Sequence, residues 1–165
     1  MDEKNLVPIP LGLKGSVYRS PMPFAAFDYG KTTLTEFLDA EIDTVVMLTE
    51  SGEDLLRAGR DLAQTYASHQ IETVHFPIVD FDTPDDHHSL LAALEDVILR
   101  AEQGENIAVH CFAGRGRTGM FIALLARKAL GLEGQAAIEW VRNYFPAIET
   151  QEQERLVREL DLDRP

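Results

Sequence analysis

The order of apolar and polar positions along the chain predicts strands that alternate with helices. Apolar residues spaced three and four apart are typical of helices, and short β-branched or apolar runs are typical of strands buried on both faces. Strands are expected at residues 15–19, 44–48, 71–76 and 106–110, and helices at residues 33–40, 53–68, 117–130, 135–144 and 151–160. A further helix carries Leu90, Leu91, Leu94, Val97 and Ile98, with Asp85 or Asp86 as its cap. This order predicts an α/β fold with a central, mostly parallel sheet of about four to five strands flanked by helices.

The chain contains no internal repeat, low-complexity tract or Gly/Ser linker that would mark a domain boundary. Its 165 residues match one domain of ordinary size, so a single domain over residues 1–165 is expected. The longest uninterrupted apolar stretch, residues 120–126, is far shorter than the ~20 residues that cross a bilayer. We therefore expect no membrane span and no membrane partner.

The overall charge narrows the range of partners. Lysine and arginine total 15 against 28 aspartates and glutamates, which gives a net charge of −13. Such a field repels nucleic acid and anionic lipid at long range, so neither is expected as a partner. If the protein binds phosphate, a local positive site must do so.

The amino-terminal segment and the cysteine count bear on the compartment. Residues 6–13 are apolar enough to imitate a signal peptide, but Asp2 and Glu3 precede them and no small-residue cleavage site follows. A single cysteine excludes an internal disulfide and a multi-cysteine zinc site. We expect a cytoplasmic protein, with a monomer as the working expectation for its oligomeric state.

One segment, His110-Cys-Phe-Ala-Gly-Arg-Gly-Arg-Thr-Gly119, carries most of the chemistry. Cys111 follows a predicted buried strand and precedes a glycine-rich turn that leads into a helix. The amides of such a turn and the helix dipole favour a thiolate and an oxyanion in the same place. Arg117 adds a planar fork for two phosphate oxygens, and Thr118 places a hydroxyl beside that fork.

Two other interpretations of this segment are weaker. A lone cysteine is usually a small core residue, but Gly114, Gly116 and Arg117 would serve no purpose around one. The spacing Gly114-x-Gly-x-x-Gly119 also matches the dinucleotide-binding fingerprint. That fingerprint normally opens the first strand–helix unit and has an acidic residue ~20 positions later at a strand end. Here the segment lies late in the chain. The residue 20 positions after Gly119 is Glu139, which lies in a helical pattern and not at a strand end.

The Cys-x5-Arg-Thr pattern, preceded by His110, resembles the signature of the cysteine-dependent protein tyrosine phosphatases, in particular their small dual-specificity branch. Residues 40–53 are similar to the family's buried strand and following loop, and residues 147–153 to its late glutamine-containing loop. The resemblance covers roughly residues 44–160. It implies the (phosphotyrosine protein phosphatase II)-like fold and a reaction through a phosphocysteine intermediate that needs no metal and no cofactor.

The resemblance also assigns roles. Cys111 is the nucleophile, and the general acid is an aspartate about thirty residues upstream, for which Asp80, Asp82 and Asp85 compete. Asp80 is favoured because residues 77–81 most resemble the acid loop, while Asp85 is better explained as a helix cap. The phosphate-binding residues are Phe112, Ala113, Gly114, Arg115, Gly116 and Arg117.

Further positions have auxiliary roles. His110 is expected to orient the loop through backbone contacts, and Thr118 to hydrogen-bond the departing sulfur. The family's water-positioning glutamine corresponds to Glu149 here, so Gln153 is expected to help instead. Glu50 or Glu53 is a candidate partner for Arg117 by family analogy.

The sequence leaves the substrate class open. The leading hypothesis is a phosphatase for phosphorylated proteins, chiefly phosphotyrosine, with phosphoserine and phosphothreonine included. The alternatives are a non-protein substrate such as a phosphoinositide, nucleotide or RNA end, which Arg115 favours and the charge opposes, and a non-catalytic phosphate-binding module.

Overall fold

A five-stranded sheet forms the centre of the computed structural model, which describes residues 4–163. Its strands are β1 (Val7–Ile9), β2 (Val17–Ser20), β3 (Thr44–Met47), β4 (Glu72–His75) and β5 (Ile107–His110). They lie in the order β1-β2-β5-β3-β4, with β1 antiparallel to β2 and every other pair parallel. The predicted α/β fold with a mostly parallel sheet is confirmed, and β1 is a strand that the sequence analysis missed. Asp2 and Glu3, which argued against secretion, lie outside the described residues.

Helices cover both faces of this sheet. They are α1 (Thr33–Asp39), α2 (Glu53–Ala58), α3 (Leu62–Ser68), α4 (His87–Glu102), α5 (Gly116–Leu130), α6 (Gly134–Val141) and α7 (Gln151–Glu159). Because side chains alternate along a strand, Val45 and Ala108 pack with α1 and α3 in one buried cluster. Val46 and Val109 face the opposite way, into a larger cluster with α4, α5, α6 and α7.

The prediction of one helix over residues 53–68 is wrong. The chain breaks after α2 because Gly59 adopts a left-handed conformation, with φ +72°. Asp61 then caps α3, where its side chain accepts a hydrogen bond from the Gln64 amide. The break gives the two halves of the predicted apolar helix face different surroundings. Leu56 in α2 is 84% exposed, whereas Tyr66 in α3 is fully buried.

The topology brings three loops to one edge of the sheet. β3, β4 and β5 run parallel, so the segments that follow them emerge on the same side. The segment after β3 leads into α2, the segment after β4 carries residues 77–86, and the segment after β5 carries Cys111. The explanation of Asp85 as a helix cap is wrong: Asp86 caps α4, and its side chain accepts a hydrogen bond from the Ser89 amide at 3.0 Å.

Candidate active site

The turn after β5 together with the first two residues of α5, residues 111–117, is here called the cysteine loop. Its carbonyl groups are held from outside the turn. Phe112 O accepts from Met22 N at 3.0 Å, Ala113 O from Arg19 Nη2 at 3.0 Å, Gly114 O from Arg19 Nε at 3.0 Å and Arg115 O from Ile148 N at 3.0 Å. In a planar trans peptide the N–H points away from the preceding C=O, so the amides of residues 113–116 face the inside of the turn. The loop is therefore a cradle of N–H donors at the amino end of α5.

Close packing behind the cradle explains its glycines. Gly114 has φ +75°, and a Cβ atom there would lie 2.3 Å from Ser20 O. A Cβ atom on Gly116 would lie 2.5 Å from Glu149 Oε1. A Cβ atom at Gly114 would meet backbone and force the loop away from its supports, whereas one at Gly116 would displace the end of the Glu149 side chain.

Arg117 is fully buried beneath the loop and is clamped by Glu53. Nη1 and Nη2 each donate to one Glu53 carboxylate oxygen at 2.9 Å, and Nη1 also donates to Ile78 O at 2.9 Å. Although burial opposes the charged form of both groups, their mutual hydrogen bonds lower the pKa of Glu53 and raise that of Arg117. Among the described residues the buried Arg117 Nε has no hydrogen-bond partner. Glu50 does not contact the guanidinium; its amide donates to Glu53 instead.

Of the three candidate acids, only Asp80 is brought to Arg117 within the described residues. Asp80 Oδ1 lies 3.3 Å from Arg117 Nη2. The Asp82 carboxylate accepts from the Thr83 amide at 2.8 Å and makes no ion pair in the described part of the chain. Phe81, between the two, adopts φ +63°, which turns the chain sharply after Asp80.

Arg57 is a site residue that sequence reasoning missed. Its guanidinium carbon lies 3.8 Å from the centre of the Phe112 ring, and Nη2 lies 3.8 Å from Asp80 Oδ2. Nε also lies 3.4 Å from Glu53 Oε2. The i, i+4 spacing from Glu53 to Arg57 was the one sequence signal for this pair.

His110 supports the loop from within the core. It is fully buried; Nδ1 lies 2.9 Å from Cys111 O and Nε2 lies 2.7 Å from the Tyr66 hydroxyl. Burial, together with the charge of Arg117, lowers the pKa of His110 to about 4. The imidazole is thus neutral at pH 7. Because a carbonyl can only accept a hydrogen bond, Nδ1 carries the proton and Nε2 accepts a hydrogen bond from the Tyr66 hydroxyl. Burial raises the pKa of that hydroxyl well above its usual value of 10, so it keeps its proton.

The remaining auxiliary residues lie around the same turn. The Thr118 hydroxyl is buried and has no hydrogen-bond partner among the described residues, Cys111 included. Gln153 completes a capping box with Thr150 at the start of α7. Its Oε1 accepts from Glu149 N at 2.9 Å, and its Nε2 donates to Asp82 O at 3.3 Å. Gln153 therefore ties α7 to the segment that carries Asp80.

The described residues, 4–163, hold no group of three or more histidine, cysteine, aspartate or glutamate side chains arranged to bind a metal ion. None of their helices is long and apolar enough to cross a membrane.

Comparisons with known proteins agree with this geometry. A profile described as "PTP-SAK: Swiss Army Knife protein, DSP-PTPase phosphatase domain" matches residues 20–162. An uncharacterized protein of Methanocaldococcus jannaschii is 34% identical over 93 residues, which span 54% of this chain and 60% of that relative.

Two solved structures are similar over nearly the whole chain. One is kinase-associated phosphatase with serine in place of its catalytic-site cysteine, with a TM-score of 0.83, 21% identity and coverage of 95% of this chain and 93% of that one. The other is the active form of Tk-PTP, with a TM-score of 0.72, 27% identity and coverage of 92% and 93%.

Proposed function

The chain belongs to the PTP-SAK family of DSP-PTPase phosphatase domains, and on that premise we propose that it removes phosphate from phosphorylated proteins by cysteine-dependent hydrolysis. Phosphotyrosine is the main proposed substrate, with phosphoserine and phosphothreonine as further ones. One observation carries the proposal: the loop that begins at Cys111 combines inward amides with Arg117, whose Nε has no partner among the described residues, and the Asp80 carboxylate lies 3.3 Å from Arg117 Nη2.

The first step is transfer of the phosphoryl group to Cys111. The thiolate attacks phosphorus in line, an S–P bond forms, and the bond from phosphorus to the leaving oxygen breaks. Asp80 gives its proton to that oxygen. The equatorial oxygens bind the inward amides of residues 113–116 and the Nε edge of Arg117, which stabilise the developing charge.

The second step returns the enzyme to its starting state. Water attacks the phosphocysteine, Asp80 accepts its proton, the S–P bond breaks and inorganic phosphate leaves. Glu149 and Gln153 are the polar side chains packed behind Gly116, with Oε1 atoms 2.5 Å and 3.2 Å from the place of a Cβ there. We propose that Gln153 assists this step by fixing the segment of Asp80 and Asp82.

The surroundings of the loop favour an aryl phosphate on a protein. The Phe112 ring lies edge-on to Phe27 at 5.2 Å, and Phe81, next to Asp80, is 60% exposed. Aromatic side chains at these positions can pack against a tyrosyl ring. The net charge of −13 opposes nucleic acid and anionic membranes as substrates. We propose that the protein acts on phosphoproteins as a monomer in the cytoplasm.

A substrate panel tests the proposal. Purified protein is assayed on phosphotyrosine, phosphoserine and phosphothreonine peptides, soluble phosphoinositides, nucleotides and 5′-phosphorylated RNA, with Cys111→Ser as the control for contaminating activity. We expect the highest kcat/KM on phosphotyrosine peptides. A higher kcat/KM on a phosphoinositide, nucleotide or RNA end than on every peptide would overturn the proposed substrate class.

A further inference from the structure

Arg57 lies at the active site, but neither reaction step described above gives it a role. It projects from α2 and contacts three parts of the site: the Phe112 ring in the cysteine loop, the Glu53 carboxylate and the Asp80 carboxylate. Its side chain is 33% exposed, so burial alone does not explain its position. Holding a long side chain in one geometry costs conformational entropy, and the three contacts together offset that cost.

The Phe112 ring and the Glu53 carboxylate fix the Arg57 guanidinium. The guanidinium carbon lies 3.8 Å from the centre of the Phe112 ring, where the face of the ring attracts a cation. Nε lies 3.4 Å from Glu53 Oε2, one turn earlier in the same helix. Charged groups also place α2 itself, because its buried side chains are Glu53 and Asp54 whereas both of its leucines are exposed. Arg57 therefore presents its remaining nitrogen, Nη2, in a defined direction.

Asp80 lies between two guanidiniums, each of which faces one of its carboxylate oxygens. Oδ1 lies 3.3 Å from Arg117 Nη2, and Oδ2 lies 3.8 Å from Arg57 Nη2. Val79 and Phe81, the residues on either side of Asp80, are 53% and 60% exposed, so packing of these neighbours contributes little to its position. The two cations draw the carboxylate toward the cysteine loop.

A bound substrate competes with Asp80 for Arg117, because its phosphate binds that guanidinium and repels a nearby carboxylate. Arg57 faces the other carboxylate oxygen, so its attraction for Asp80 persists. We propose that Arg57 is a positioning residue for the general acid, which holds the Asp80 carboxyl group beside the leaving oxygen while Arg117 binds the phosphate. The proposal rests on the proposed function, because Arg57 acts through Asp80. Such a role matters because a small displacement of a catalytic group lowers the rate steeply.

Two aryl phosphates with different leaving groups test this role. Phenolate must receive a proton as it departs, whereas dinitrophenolate leaves without one. The measured quantity is kcat/KM, because it reports the steps up to formation of the phosphocysteine. We expect Arg57→Gln to lower kcat/KM for phenyl phosphate about tenfold and to change that for dinitrophenyl phosphate by less than about twofold. The inhibition constant of inorganic phosphate should stay within about twofold, because binding of phosphate does not require the acid.

Two further comparisons identify the route of the effect. In an Asp80→Asn background, Arg57→Gln should lower kcat/KM for phenyl phosphate by less than about twofold, because no acid remains to be positioned. Arg60→Gln is the matched control, because the Arg60 guanidinium carbon lies 3.6 Å from the centre of the Phe24 ring and Arg60 is exposed. Within residues 4–163 Arg60 makes no ion pair. This control should keep kcat/KM for both substrates within about twofold.

The outcomes separate this role from the proposed function. An equal loss on both aryl phosphates, or a raised inhibition constant for phosphate, would overturn the role of Arg57, since the residue would then act on phosphate binding or on the fold. A loss of similar size in the Asp80→Asn background or in Arg60→Gln would overturn it as well. The proposed function fails separately if Cys111→Ser keeps its turnover or if Asp80→Asn leaves kcat/KM for phenyl phosphate unchanged. Neither substrate contains a peptide, so the result does not depend on which phosphorylated molecule the enzyme prefers.

Discussion

Glu53 binds Arg117 along one edge of the guanidinium, through Nη1 and Nη2 at 2.9 Å each, and leaves Nε unpaired among the described residues. The carboxylate thereby fixes the plane of the fork before any substrate is present. Such fixation matters because a donor that is already aimed at the phosphate needs no reorganisation during the reaction. The same contact offsets part of the cost of burying a cation, since Arg117 is fully buried.

Glu53→Gln is expected to weaken both the fold and the reaction. A neutral amide cannot offset the buried charge, so the free energy of unfolding should fall by roughly 2–4 kcal/mol, and kcat should fall because the fork is no longer fixed. Urea denaturation and turnover of an aryl phosphate measure the two effects. Glu50→Gln is the control, since Glu50 is exposed and its side chain does not reach Arg117. Equal losses in the two variants would contradict the clamp.

Cys111→Ser should abolish hydrolysis of an aryl phosphate and leave phosphate binding intact, because an alcohol is a far weaker nucleophile than a thiolate. Arg117→Lys should also abolish hydrolysis, since an ammonium cannot form the two parallel hydrogen bonds of a planar guanidinium. Turnover is measured with circular dichroism as the check on folding. A correctly folded Cys111→Ser protein that kept even about a tenth of the turnover would contradict covalent catalysis.

Asp80→Asn should lower kcat by roughly 10²–10³ and flatten the acid-to-neutral pH profile, as loss of a general acid does. The loss should shrink for substrates whose leaving group needs no proton. Asp82→Asn is the matched control, two residues away and turned toward Thr83. If Asp82→Asn gives this pattern and Asp80→Asn does not, the assignment of the acid is wrong.

His110 should make stability depend on pH. Burial lowers its pKa from 6.5 to about 4 in the folded protein, so between these values the unfolded chain binds more protons. The free energy of unfolding should therefore fall as the pH drops from 6.5 to 4, by up to about 3 kcal/mol.

Urea denaturation across that range measures the slope, and NMR of the imidazole measures the pKa directly. His110→Gln should remove this contribution, whereas His69→Gln, which removes an exposed imidazole, should leave it. An imidazole of His110 that titrates near its ordinary pKa of 6.5 would contradict the neutral, buried state.

The sequence was sufficient for the features that neighbouring residues encode. The strand before Cys111, the glycine turn and the helix that carries Arg117 are contiguous, so periodicity and glycine placement predicted the cradle. The same reasoning failed for residues 53–68. Apolar spacing continues across Gly59, but the left-handed backbone at that glycine ends α2.

Tertiary structure decided between distant groups that the family resemblance had only named as candidates. Glu53 and Arg117 are 64 positions apart, and their contact exists because the segments after β3 and β5 leave the same edge of the sheet. The competition between Asp80 and Asp82 was likewise open in the sequence, since both follow β4. Only the path of the chain through Phe81 turns Asp80 toward Arg117 and Asp82 toward Thr83. Such contacts depend on where separate elements pack, and one sequence carries no local signal for the distance between two loops.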